Sequence, residues 1–173
     1  MSTEFLFIIP AAPCYVPPPD MRARALDAFK KMLPTADEVD AIVHNEIRFI
    51  DAGARFETVR CPICDSELDQ IWWGDAMNIA HRSAFRDLKV KLPCCDSQST
   101  LDNLQYKMPS GFAQFLLQAR EPGPGRYLTV DKLQALESIL GTPLKQVWAQ
   151  YKNNEKSLVR TYRAREAASA SRG

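Results

Sequence analysis

Residues 111–121 read GFAQFLLQARE, directly after the turn-forming pair Pro109-Ser110. The run is apolar and carries two phenylalanines, Phe112 and Phe115, so we read it as a strand rather than a short helix. That choice decides the fold. It places a strand between a cysteine-rich middle segment and the clearest helix of the chain, and it sets the order of everything on either side.

On the C-terminal side, "EPGPGR" (121–126) is a loop, and "TVDKLQALESILG" (129–141) is a helix. Thr129 caps it, Leu133, Leu136, Ile139 and Leu140 face the core, and Gly141 ends it. "PLKQVWAQY" (143–151) has an imperfect alternation of Leu144, Val147 and Tyr151, which leaves strand and helix both open. On the N-terminal side, "DLKVKLP" (87–93) alternates Leu88, Val90 and Leu92 with charged residues, the period of a half-buried strand. In "SELDQIWWGDAMNIAHRSAF" (66–85), Leu68, Ile71 and Trp72 sit at helical intervals, and Asp75 can restart a turn containing Ile79.

"EIRFIDAGARFETVRC" (46–61) reads as two strands or one bent strand around Gly53. Before it, "TADE" (35–38) has the form of a capping box, predicting a short helix with Val39, Ile42 and Val43 on its apolar face. Asp20 is expected to cap an earlier helix containing Ala25, Leu26, Phe29, Met32 and Leu33, stopped by Pro34. "PAAPCYVPPPD" (10–20) is too proline-rich for helix or ladder, and "EFLFIIP" (4–10) is a buried strand. The expected fold class is therefore α+β: a ferredoxin-like βαββαβ sandwich carrying an inserted zinc-ribbon-like module. The expected organisation is a single domain over 1–151, the module at 57–100, and a basic, partly disordered tail at 152–173.

Two short stretches inside the module read as copies of each other: "CPICD" (61–65) and "LPCCD" (92–96). Aligned, Cys61 stands against Leu92 and Ile63 against Cys94, while proline, the last cysteine and aspartate coincide. Zinc takes four soft or borderline ligands in a tetrahedron, and two cysteine doublets supply them. The expected ligands are Cys61, Cys64, Cys94 and Cys95, with His81 in place of Cys94 as the alternative. A redox Cys-x-x-Cys fits less well, because that motif opens a helix and has no second doublet. Four thiolates leave no open position for water or substrate, so the expected metal is structural.

Nothing else in the chain assembles a catalytic set. The only histidines are His44 and His81, and neither a nucleophile elbow nor a phosphate-binding glycine loop occurs. Net charge is +1, but residues 152–173 carry six basic and two acidic side chains, leaving the rest slightly negative. Nine acids against three arginines between Asp37 and Asp69 oppose a continuous nucleic-acid surface at the first cysteine pair. "FLFIIP" falls far short of the ~20 residues that cross a bilayer, and no export signal is read; unpaired, clustered cysteines fit a reducing, cytoplasmic setting.

The pattern CPIC, LPCC, MPSGFAQFLLQARE and LQALESILGTPL resembles a set of uncharacterised bacterial proteins. In those, a Cys-Pro-x-Cys and a Pro-Cys-Cys precede a Gly-Phe-Ala-x-Phe strand and a Leu-Glu-x-x-Leu-Gly helix. The resemblance spans roughly residues 45–151, except that Asp65 and Asp96 stand where such knuckles often carry glycine. It implies a bacterial, cytoplasmic accessory protein and brings no activity with it. The expected function is a non-catalytic, zinc-stabilised protein-binding module. An immunity or adaptor protein docking on a toxin or effector fits that description. Candidate partner-binding residues are Trp72, Trp73, Tyr106, Asp69 and Asp75. The alternative is a nucleic-acid-binding regulator using the ribbon and the basic tail.

Overall fold

The computed structural model describes residues 2–152; the expected basic tail beyond Lys152 lies outside the described residues. The chain is mixed α+β, built on a four-stranded antiparallel sheet of order β2-β7-β1-β8. Its strands are β1 (Ser2–Pro10), β2 (Glu38–Ile50), β7 (Gly111–Arg120) and β8 (Leu144–Lys152). Helix α1 (Pro19–Met32) links β1 to β2, and α3 (Val130–Leu140) links β7 to β8. Residues 51–110, between β2 and β7, hold the remaining elements: β3 (Val59–Arg60), α2 (Gln70–His81), β4 (Lys89–Lys91), β5 (Gln98–Thr100) and β6 (Gln105–Tyr106). No helix among the described residues is long and apolar enough to cross a membrane.

The run at 111–120 lacks polar alternation because β7 is an inner strand, flanked by β2 and β1 and buried on both faces. One face packs Leu6, Ile8, Phe115 and Leu117 against Ala25 and Phe29 of α1 and Leu136 and Leu140 of α3. Pro19 opens α1, where its missing N–H costs no hydrogen bond, and Pro18 rather than Asp20 occupies the N-cap. Asp20 instead lies in the first turn, where its charge opposes the positive end of the helix dipole. Gly141 ends α3 in the left-handed conformation at φ 66°, its N–H donating to Glu137 O at 2.8 Å. The final apolar segment is a strand, β8, paired along its whole length with β1.

The capping-box expectation at Thr35–Glu38 is overturned. Glu38 begins β2, and Val39, Ile42 and Val43 are strand residues paired with Ala119, Leu116 and Phe115. A capping box is a local signal worth about 1 kcal/mol; a ladder reaching from Glu38↔Arg120 to Ile50↔Gly111 outweighs it. The ladder is interrupted between Val43 and Arg48, where β2 carries extra residues including His44. His44 therefore sits in a strand irregularity and not at a helix end.

Beyond β2 the chain reaches the far edge of the sheet. Gly53 bridges Gln150 in parallel, Gln150 N–H donates to Ala52 O at 3.2 Å, and Ala54 N–H donates to Gln150 O at 2.8 Å. This contact covers part of the β8 edge, which would otherwise present unpaired backbone groups. Glycine is required at 53: φ is +63°, and a Cβ would meet Gln150 O at 2.5 Å.

Asp51, beside this contact, is only 1% exposed. Its Oδ1 accepts from Gly53 N–H at 2.6 Å and from the Tyr151 hydroxyl at 3.3 Å, while Oδ2 has no partner. Burial pushes its carboxyl up to about 6, against the lowering effect of those hydrogen bonds. Because the folded carboxyl holds its proton more tightly than the unfolded one, its contribution is complete below pH 4. That contribution is lost as pH rises through about 6. Above that point the buried charge costs about 3 kcal/mol. Asp51→Asn keeps the acceptor and removes the charge. Its stability advantage over wild type in urea titrations should widen between pH 5 and pH 8 to about 2–3 kcal/mol. A pH-independent difference, or a less stable variant, would contradict this account of Asp51.

Candidate metal centre

The two cysteine stretches fold into the same backbone turn. In the first, Cys61 N–H donates to Ser66 O at 2.8 Å and Asp65 N–H to Cys61 O at 3.1 Å. In the second, Leu92 N–H donates to Ser97 O at 2.9 Å and Asp96 N–H to Leu92 O at 2.9 Å. Cys61 and Leu92 are thus structural equivalents, as the sequence alignment placed them, and both are fully buried. Asp65 and Asp96 take the position where glycine is common, at φ 61° and 57°. Aspartate tolerates this left-handed conformation better than most residues. Each turn also places a cation near its aspartate: Arg60 at 3.1 Å from Asp65 and Lys91 at 3.9 Å from Asp96. All four side chains are well exposed, so these pairs contribute little energy.

The hairpins aim four sulfurs at one point. Cys61, Cys64, Cys94 and Cys95 have their Sγ atoms all within 4.8 Å of one another. Sγ–Sγ separations are 3.8 Å for Cys61–Cys95, 3.4 Å for Cys64–Cys94 and 3.8 Å for Cys94–Cys95. A tetrahedron with metal–sulfur bonds of about 2.3 Å has edges of about 3.8 Å, so the separations suit one ion at the centre. They are far longer than a disulfide's ~2.05 Å. The loss of a cysteine at Leu92 is offset by Cys94, which stands where the first turn has the exposed Ile63.

The surrounding groups favour thiolates. Ile63 and Cys64 direct their backbone N–H groups at Cys61 Sγ, at 3.3 and 3.4 Å. Cys64 is pulled down to about 6 by hydrogen bonds from the Ser66 hydroxyl and backbone, then from the Cys94 thiol. Cys95 is lowered in the same way by Ser97. Cys94 is pushed up to about 12, first by removal from water among its neighbours and then by donating its proton to Cys64 and Cys61. A divalent cation held by the four sulfurs would neutralise the charge of their thiolates.

His81 is not part of the group: it ends α2 and lies edge-on to Phe85, with ring centroids 5.3 Å apart. Cys14, the fifth cysteine, is exposed in the proline-rich loop.

The expected partner-binding residues divide between core and surface. Trp73 is buried, packed against Phe56 at 5.0 Å and Phe49 at 5.7 Å, so the expectation that it meets a partner is corrected. Tyr106 is half-buried, its hydroxyl donating to Leu101 O at 2.8 Å and lying 3.3 Å from Trp73 Nε1. Asp69 caps α2, accepting from Ile71 N–H at 2.6 Å and Trp72 N–H at 3.4 Å. Trp72 and Asp75 face a surface groove of about 530 Å³ between α2 and β4. Two residues of α2 that the sequence places on its helical apolar pattern, Ile71 and Ile79, lie on the surface instead. They are 77% and 61% exposed.

No family model, curated protein or solved structure matches the chain. Its function is therefore argued from the cysteine group and the surface around it.

Proposed function

We propose that this chain is a non-catalytic protein-docking module held by a structural zinc ion, of the kind used by bacterial immunity or adaptor proteins to cover a toxin or effector. The observation that carries this reading is the closed group of four sulfurs. Once all four ligate, the metal keeps no position for a water or a substrate, which removes the usual routes of zinc catalysis. Its binding energy goes into holding 51–110 together, a segment whose core cluster around Trp73, Met77, Leu92 and Leu101 also takes in Phe49 of β2 and Phe112 of β7. The element order strand, helix, strand, strand, helix, strand and the sheet order β2-β7-β1-β8 support a ferredoxin-like sandwich. The paired hairpins support a zinc-ribbon-like insertion between its middle strands. Five free cysteines fit a reducing, cytoplasmic setting.

The nucleic-acid reading has one observation in its favour. Arg126 and Arg55 lie over the Trp148 ring, at 4.4 and 5.4 Å from its centroid, on the strand that leads into the basic segment 152–173. The two readings separate in one experiment. The zinc-loaded full chain, immobilised, is expected to retain a protein from a bacterial lysate after nuclease treatment. Retention that vanishes with nuclease and with salt, and on deletion of residues 153–173, would instead establish the nucleic-acid reading.

A further inference from the structure

We propose that the groove between α2 and β4 receives an extended acidic segment of the partner, which adds as a strand to the free edge of β4. This deepens the protein-docking reading and rests on it. The strand register supplies the first argument. Leu101 N–H donates to Leu88 O at 2.8 Å and Leu92 N–H to Ser97 O at 2.9 Å, and Val90 stands opposite Ser99 between them. Positions 88, 90 and 92 therefore bond toward β5, and positions 89 and 91 turn their backbone groups outward. Lys89 N–H is taken by Asp87 Oδ1 at 3.1 Å. Among the described residues, the Lys89 carbonyl and both backbone groups of Lys91 remain as a template for an added strand.

The wall opposite that edge supplies the second argument. Trp72, Ala76 and Ile79 of α2 line the groove with Val90, and its volume of about 530 Å³ accommodates a few side chains. Ile79 is 61% exposed at its rim, beside the half-buried Trp72, Ala76 and Val90. Apolar side chains gathered at a concave rim gain free energy when a partner covers them.

Charge selects the occupant. Arg82, Lys89 and Lys91 line the groove against Asp75 and Asp87, an excess of one positive charge, and the Asp87 carboxylate is turned onto the Lys89 amide. Lys91 has only a 3.9 Å contact with the exposed Asp96. Lysines on a free edge repel like-charged strands, so the same residues that guard the edge discriminate in favour of an acidic one.

The probes are fluorescein-labelled decapeptides with alternating glutamate and valine or leucine, added to the zinc-loaded full chain and read by fluorescence anisotropy. A lysine-for-glutamate version tests charge, and a version N-methylated at alternate residues tests strand addition. Both are expected to bind at least about tenfold more weakly than the acidic peptide, and Lys89→Glu/Lys91→Glu and Ile79→Ser should lose affinity by a similar factor. These substitutions lie on exposed positions and leave the core untouched. Equal binding by the variants would place the peptide elsewhere and overturn the groove while leaving the docking reading standing. Failure of every peptide, or displacement of the peptide by an oligonucleotide, would also overturn it. Lysate capture that persists in the groove variants would show that docking survives without this site.

Discussion

If the four sulfurs hold zinc as proposed, a strong chelator is expected to unfold residues 59–106 while leaving the four-stranded sheet largely formed. Metal ligation in small four-ligand modules contributes about 10–16 kcal/mol at neutral pH, more than most whole domains hold in reserve. Here the ligand-bearing turns are flanked by strands of only two or three residues, β3 paired with β6 and β4 paired with β5, which cannot persist alone. Their shared core is the cluster around Trp73, Met77 and Leu101, which meets the sheet through Ile47, Phe49 and Phe112. The sheet has its own cores, one under α1 and α3 and one around Ile9, Leu116 and Val147. Hydrogen exchange should therefore accelerate across 59–106 after chelation and stay slow in β1 and β7. Cys61→Ser should reproduce the effect, and Cys14→Ser, outside the group, should leave metal content and exchange unchanged. Uniform loss of protection across both parts would mean that the segment and the sheet form one cooperative unit.

Phe49→Ala is expected to cost about 3–5 kcal/mol, the range for a large buried aromatic cut back to a methyl. Phe49 is fully buried near the end of β2, where the sheet hands over to the inserted segment. Its ring lies 5.1 Å from Phe112 of β7, 5.7 Å from Trp73 of α2, 5.9 Å from Tyr106 and 6.3 Å from Phe56. Because it touches both parts, its loss should lower the urea midpoint seen by Trp148 in the sheet and by Trp73 in the segment. Ile79→Ala, on the exposed face of α2, should change stability by less than about 0.5 kcal/mol. A Phe49→Ala effect confined to one tryptophan would show that the ring does not join the two parts.

The residues differ in how much they disclose alone. The strand at 111–120 was legible as a short continuous apolar run behind a turn, and the helix ending at Gly141 by its period and its stop signal. The two cysteine turns were legible for a stronger reason: the alignment of Cys61 with Leu92 and Asp65 with Asp96 is a backbone statement, and the hydrogen bonds repeat it. The segment at 35–43 misled because its capping box is local, whereas the pairing of β2 with β7 joins residues about 60–80 positions apart. Trp72 and Trp73 could not be separated by sequence. The Asp69 cap fixes the phase of α2, which then turns Trp73, Met77 and Ala80 inward and leaves Ile71 and Ile79 outside. The contact of Ala52–Ala54 with β8, and the buried Asp51 beside it, carry no local signature.

X-ray absorption at the zinc edge, on protein purified without added metal and paired with zinc stoichiometry, tests the four-sulfur centre most directly. One zinc per chain with four sulfur neighbours at about 2.3 Å is the predicted result. A folded chain without metal, or a shell in which an oxygen replaces one sulfur, would contradict the closed structural site and reopen the question of catalysis.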